Sequence, residues 1–206
     1  MVKNNIQNLS EVELNILNSA KEVFIQKGFD GANMQEIADK AGINKALLHY
    51  YFRKKELLFK EVFKMALIDF IPNIQQIMVS DKPLKTKIKI FVESYIDMLQ
   101  KNPYLPNFII NELSRRPENL LSIIKELGLN PTLMIKSFEM SMKEAGVKLY
   151  LVKHLLINIL SMCIFPVVAK PIISNFLFDN NTANYEAFIK QRKKFVYEFI
   201  IKALEL

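Results

Sequence analysis

One glycine, Gly42, constrains this chain more than any other residue, because it stands between two short stretches with helical spacing. Before it, Met34, Ile37, Ala38 and Ala41 recur three or four positions apart, which places them on one face of a helix spanning Met34 to Ala41. Gly42 then ends that helix, since a residue without Cβ takes the left-handed exit at little cost. Asn44 is placed to cap a second helix, Lys45 to Tyr51, whose Leu48 faces back toward Ile37 and Ala38. Ala38 must be small where the helices cross, and Ile43 and Leu48 fill the space between them. A small residue, a glycine four later, and apolar residues one and six beyond it make a helix-turn-helix pattern over residues 33–52. Lys45, Ala46, His49 and Tyr50 are left on the free side of the second helix, the side such units offer to a DNA major groove. An ordinary pair of core helices joined by a glycine turn would share much of this pattern, so the flanks matter.

Upstream, Ser10 and Glu13 have the spacing of a capping box opening a long helix. Its apolar stripe is Ile16, Leu17, Ala20, Val23 and Phe24, and Lys27-Gly28-Phe29 ends it. Asp30-Gly31-Ala32 reads as a turn, with Asn33 capping the next helix. Downstream, Arg53-Lys54-Lys55-Glu56 opens a fourth helix through Leu58, Phe59, Val62, Phe63 and Leu67, which Pro72 should kink or end. The net charge of +7 points only weakly to an anionic partner, but its distribution says more. Residues 40–60 hold six bases and one acid, whereas residues 1–39 hold three bases and six acids. Positive charge therefore gathers on and just after the second motif helix, where phosphates would lie.

Phe24, Lys27-Gly28-Phe29, Ile37-Ala38, Ala41-Gly42, Lys45, Leu48, Tyr51-Phe52 and Lys55-Glu56 together resemble the N-terminal signature of TetR-family transcriptional regulators, over about Ile16 to Leu58. The resemblance implies an all-α homodimer. Its three-helix DNA-binding domain (1–54) would be followed by a larger helical-bundle domain (55–206) for ligand binding and dimerisation. It also assigns roles. Asn33 takes the place of a capping Ser/Thr that can meet a phosphate, and Lys45 opens the recognition helix within reach of a base edge or phosphate. Lys55 matches a lysine at the start of the fourth helix, where ammonium and helix end together attract phosphate. Asn44 and Ala46 complete the DNA-facing set. Departures from the pattern fall at Leu47 (often Thr, so an apolar contact to a thymine methyl is expected), His49 (often Tyr, followed here by Tyr50) and Lys54 (in place of a capping residue).

The remaining two thirds read as helices: one carrying Lys82, Lys85, Lys87 and Lys89 on a solvated face, then Pro106 to Ser114, Pro117 to Leu127, Pro131 to Ala145, Leu149 to Ser174 and Ala183 to Leu206. Pro166 and Pro171 should kink or shorten the penultimate one. Phe91, Tyr95, Met98, Phe108, Met134, Phe138, Met142 and Met162 supply the adaptable apolar surface that could line an effector cavity, with His154 or Asn158 as its polar element. Plain core is the simpler reading for any one of them. Glu112, Arg115 and Arg116 could anchor a charged ligand or pair at the surface. The resemblance implies dimerisation through the last two helices, whose residues include Leu155, Leu156, Ile159, Leu160, Phe195, Phe199 and Ile200.

Several functions lose ground on composition. The one cysteine, Cys163, lies in an apolar run, and two distant histidines make no metal set, so no cofactor or metal is expected. No nucleophile–base pair or glycine-rich phosphate loop supports an enzyme. The first residues hold no apolar block long enough for a signal peptide, and the apolar run Leu155 to Ala169 falls short of the ~20 residues a bilayer span requires. The expectation is a cytoplasmic bacterial repressor that binds a palindromic operator as a homodimer and is released by a small apolar or amphipathic effector. The alternative is an architectural DNA-binding protein without an effector.

Overall fold

The structure is a computed structural model, and it describes residues 9–115 and 117–206. Every regular element among them is helical: α1 (Glu11–Gly31), α2 (Met34–Lys40), α3 (Lys45–Tyr51), α4 (Lys55–Leu67), α5 (Phe70–Val79), α6 (Leu84–Lys101), α7 (Leu105–Arg115), α8 (Pro117–Glu126), α9 (Pro131–Glu144), a 3-10 turn (Leu149–Leu151), α10 (Val152–Val168), α11 (Lys170–Phe178) and α12 (Thr182–Ala203). The all-α expectation is met. Arg116 and the side chain of Arg115 lie outside what is described.

The chain divides into two compact units, and not at residue 54. One unit holds Met1–Ile71 together with Asn102–Gly128; the other holds Pro72–Lys101 and Leu129–Leu206. The helix-turn-helix therefore shares its unit with α4, α7 and α8. An aromatic chain explains why. Phe59 of α4 meets Phe24 at 4.6 Å and Phe29 at 5.1 Å, and on its other side meets Phe108 of α7 at 4.4 Å. Phe63 adds a second contact to Phe108 at 4.8 Å. Rings tilted or edge-on at these distances add attraction beyond the area they bury. No local sequence pattern announces that partnership, because α4 and α7 are far apart in the chain.

Within this unit the local expectations hold closely. The capping box at Ser10 and Glu13 is formed, and Gly28 leaves the helical region at φ 67°, so α1 kinks there before one more turn runs to Gly31 where a plain turn was expected. The fourth helix breaks after Leu67, not at Pro72. Pro72 cannot donate to the carbonyl four residues back, and its ring crowds that carbonyl, so the break falls upstream of the proline.

In the second unit, α6, α9, α10 and α12 pack through Ile88, Val92, Ile96 and Leu99 of α6, Phe138 and Met142 of α9, Leu155, Ile159 and Cys163 of α10, and Ile189, Val196 and Ile200 of α12. One expectation changes, and one holds in part. Lys87 is not on the solvated face with Lys82, Lys85 and Lys89; it is 2% exposed, and its ammonium donates to Ser141 Oγ at 2.8 Å. The long penultimate helix is divided at Ala169, ahead of Pro171, while Pro166 sits inside α10 without breaking it. The carbonyl that Pro166 leaves without its helical donor, that of Met162, accepts instead from Arg192 Nε at 3.2 Å. The carbonyl of Pro166 in turn accepts from the Tyr185 hydroxyl at 3.1 Å. Helix continuity across Leu149–Val168 thus gives 20 residues, with a mean hydropathy of 2.0 over an 18-residue window, longer than the apolar run read from the sequence and sufficient by length and composition for a bilayer span.

Candidate nucleic-acid interface

The corner between α2 and α3 is built by caps. Asn33 Oδ1 accepts from the Glu36 amide at 2.9 Å and Asn44 Oδ1 from the Leu47 amide at 2.7 Å, which fixes the start of each helix. Gly42 sits at φ 68°, and the Ala41 carbonyl beside it accepts from Asn15 Nδ2 of α1 at 2.7 Å. That last bond ties the corner to α1, and no sequence signal points to it, since a polar residue inside a long helix has no marked partner. Ile37, Ala38 and Leu48 are fully buried at the crossing.

On the other side of α3, Lys45, Ala46, His49 and Tyr50 are exposed, and Leu47 is half-buried. Tyr50 stands edge-on to Tyr51 at 5.3 Å, a large aromatic ring held out from the surface. His49 Nδ1 is 3.2 Å from the Arg53 carbonyl, which can only accept, so the ring donates there from Nδ1.

The cations sort into three groups, a distinction that counting charge could not make. Lys40 is paired with Glu22 at 2.8 Å and Lys60 with Glu126 at 3.4 Å. Lys45, Arg53 and Lys54 are exposed and pair with no carboxylate among the described residues. Lys55 is different again. Its ammonium donates to the carbonyls of Phe29 at 2.7 Å and Ala32 at 2.9 Å, with Asp30 at 3.5 Å, and lies 4.5 Å above the Phe29 ring. The expected phosphate role of Lys55 is therefore revised: its protons are spent on the link between α1 and α2. The free set gains Arg53, which sequence reasoning counts only as charge. Of the net charge of +7, the unit holding this face carries +1 and the other +6, so the case for an anionic partner here rests on these three cations and not on the total.

A second electrostatic cluster ties α4 to α8. Glu126 meets Lys64 at 2.6 Å and accepts from Ser122 Oγ at 3.0 Å, and Lys64 also meets Glu61 at 3.0 Å. The hydrogen bond from Lys64 is the main cause of a Glu126 carboxyl held down to about 2.

The expected effector residues do not all come together. Tyr95, Met98, Phe138 and Met142 are buried in the second unit, with Phe91, Met134 and Met162 half-buried there. Phe108 belongs to the aromatic core of the first unit. His154 and Asn158 are exposed on α10, turned away from Leu155 and Ile159, so neither is the polar element of an interior cavity. At about 100° per residue, the helical period turns them roughly 100–140° away from the buried face.

Two short helices that cross at a glycine corner, the second presenting Lys45, His49 and Tyr50 outward, are a helix-turn-helix. Residues 16–62 match the family described as bacterial regulatory proteins, tetR family. It is 28% identical over 85 residues to the HTH-type transcriptional activator FasR of Mycolicibacterium smegmatis, covering 41% of this chain and 39% of that one. It is 24% identical over 107 residues to the fatty acid metabolism regulator protein of Bacillus subtilis, covering 52% of this chain and 54% of that one. The matched part thus spans about half or less of these relatives. The crystal structure of HlyIIR, a hemolysin II transcriptional regulator, has the same fold with a TM-score of 0.63 at 24% identity, covering 94% of this chain and 97% of that one.

Proposed function

We propose that this protein is a cytoplasmic transcriptional repressor that binds double-stranded operator DNA as a homodimer and is released by a small apolar or amphipathic effector. The observation that carries the DNA-binding part is the outward face of α3, with Lys45, His49 and Tyr50 exposed above a corner locked by Asn33, Gly42 and Asn44. Lys45, Arg53 and Lys54 hold phosphates; the His49 and Leu47 side chains read base edges. Two such faces related by a two-fold enter successive major grooves, which requires a palindromic site. Effector chemistry is supported by the apolar, Met- and Phe-rich interior of the second unit and by the name of the Bacillus subtilis relative. An effector that prefers one conformation lowers operator affinity by that preference.

Gel-shift titration of the purified protein against its own upstream intergenic DNA, beside scrambled DNA and at two salt concentrations, tests this reading. Specific binding that Lys45→Ala weakens is the expected result. Equal binding to scrambled DNA would favour the architectural alternative, and no binding at low salt would remove the DNA-binding reading altogether.

A further inference from the structure

One charge inside the second unit has no counter-charge in contact with it. Lys87 is 2% exposed, and among the described residues its ammonium makes one hydrogen bond, to Ser141 Oγ at 2.8 Å, and no ion pair. An ammonium carries three donors, so two remain without a protein acceptor. A tie between α6 and α9 needs no charge, since a neutral donor would make the same bond without the cost of desolvating an ammonium. Glu144 and Asp81 act on Lys87 from farther off, and their pull on its pKa is weaker than the opposing effect of burial.

The pair is held in place from α9. The Ser141 hydroxyl donates to the Ser137 carbonyl at 3.1 Å, so its lone pairs are left for Lys87, and Ser137 Oγ donates to the Met78 carbonyl of α5 at 2.8 Å. From this polar point apolar side chains run on along both helices. Phe91, Tyr95 and Met98 follow Lys87 by four, eight and eleven positions, which the helical period puts on one stripe of α6. Phe138 and Met134 precede Ser141 by three and seven positions, on one stripe of α9. Phe91 and Tyr95 stand 5.7 Å apart, and Phe138 is fully buried. These are the aromatic and thioether residues expected to line an effector site. Lys87 with Ser141 is the polar element at their end that His154 and Asn158 do not supply.

We propose that the effector is a monoanionic amphiphile whose carboxylate accepts from the Lys87 ammonium while its alkyl chain lies along the stripe of Phe91, Tyr95 and Phe138. This deepens the effector reading given above and rests on it. A carboxylate brings acceptors for both remaining N–H groups together with the negative charge that the ammonium lacks, and a charge-assisted bond of this kind is among the stronger ones. A single negative charge fits better than a phosphate dianion. Only one ammonium stands at this point, and the negative charges of Glu144 and Asp81 would repel a second charge on the ligand.

Isothermal titration of the purified full chain, below micelle formation, decides the matter. The probes are octanoate, dodecanoate and hexadecanoate, the matching 1-alkanols, and dodecyl phosphate. Lys87→Met is run beside wild type, with helical circular dichroism to check its fold; the wild-type comparison of headgroups stands without it. The expected result is a wild type that binds its best alkanoate about ten- to a hundredfold more tightly than the matching alkanol, and dodecanoate more tightly than dodecyl phosphate. Lys87→Met should bind the alkanol as wild type does and lose the preference for the carboxylate. A wild type that binds alkanoate and alkanol alike would overturn the anchor while leaving an apolar effector in place. So would a folded Lys87→Met protein that keeps the preference. Tighter binding of dodecyl phosphate would overturn the assignment of a single charge. A wild type that binds none of these compounds would overturn both the anchor and the apolar-effector reading.

Discussion

Removal of the Lys55 ammonium separates two roles for that side chain: contact with DNA phosphate, and a brace inside the protein. The structure assigns the second. Two of its three carbonyl contacts, at 2.7 and 2.9 Å, have good hydrogen-bond lengths, and the third, at 3.5 Å, is marginal. A hydrogen bond to a charged donor contributes about 1.5–3 kcal/mol when well formed and less where water competes, as it does at this half-exposed site. The ammonium–Phe29 contact adds roughly 0.5 kcal/mol. Lys55→Met keeps the stem and removes the charge, so it should cost about 2–3 kcal/mol, or roughly 4–10 °C in Tm for a chain of this size. The assay is thermal and urea unfolding followed by circular dichroism, with Lys45→Ala as control; that side chain pairs with no carboxylate among the described residues and should stay within about 0.5 kcal/mol of wild type. The same two variants then go into salt-dependent DNA binding. Lys45→Ala should reduce the slope of log affinity against log salt by about one, whereas Lys55→Met, measured where it is folded, should leave the slope unchanged. A Lys55→Met protein of wild-type stability with a slope reduced by one would refute the reasoning.

Other consequences follow from the buried and paired groups. Glu126 is held down to about 2 in the folded protein, below its unfolded value near 4.5, so its contribution is present above pH ~4.5 and lost as pH falls toward 2. Glu126→Gln should flatten the stability profile across that window, by a modest amount because the carboxylate is partly exposed. Cys163 is pushed up to about 12 by burial, so a thiol reagent should leave it unmodified in the native protein at pH 8 and label it fully in denaturant. Lys87 is buried with Ser141 as its hydrogen-bond acceptor, and burial lowers its pKa against the opposing pull of Glu144 and Asp81. Ser141→Ala should therefore destabilise by about 1–3 kcal/mol, while Lys87→Met, which removes the need for a partner, should be near neutral; chemical denaturation of the two singles and the double compares them.

What is legible in the amino-acid sequence of this protein is set by range. Caps, corner and boundaries in the first 52 residues are legible because each depends on neighbours within four positions: Ser10 with Glu13, Asn33 with Glu36, Gly42 with its own φ. The outward residues of α3 are legible because the motif's apolar spacing assigns Leu48 to the crossing with Ile37 and Ala38, which leaves the polar Lys45, His49 and Tyr50 for the outside. What the sequence determined by itself was therefore the all-helical class, the helix-turn-helix and the residues it presents. The tertiary structure decided which charges are free. Lys55 and Lys54 are adjacent and chemically alike, yet one is enclosed by carbonyls from residues 29–32 and the other is open to solvent. It likewise decided that Phe108 joins Phe59 and Phe63 in the first unit, that Lys87 is buried, and that His154 and Asn158 face outward. The physical reason is common to all of these. Hydrogen bonds, ring contacts and desolvation are set by groups far away in the chain, and local periodicity carries no information about which of them will arrive.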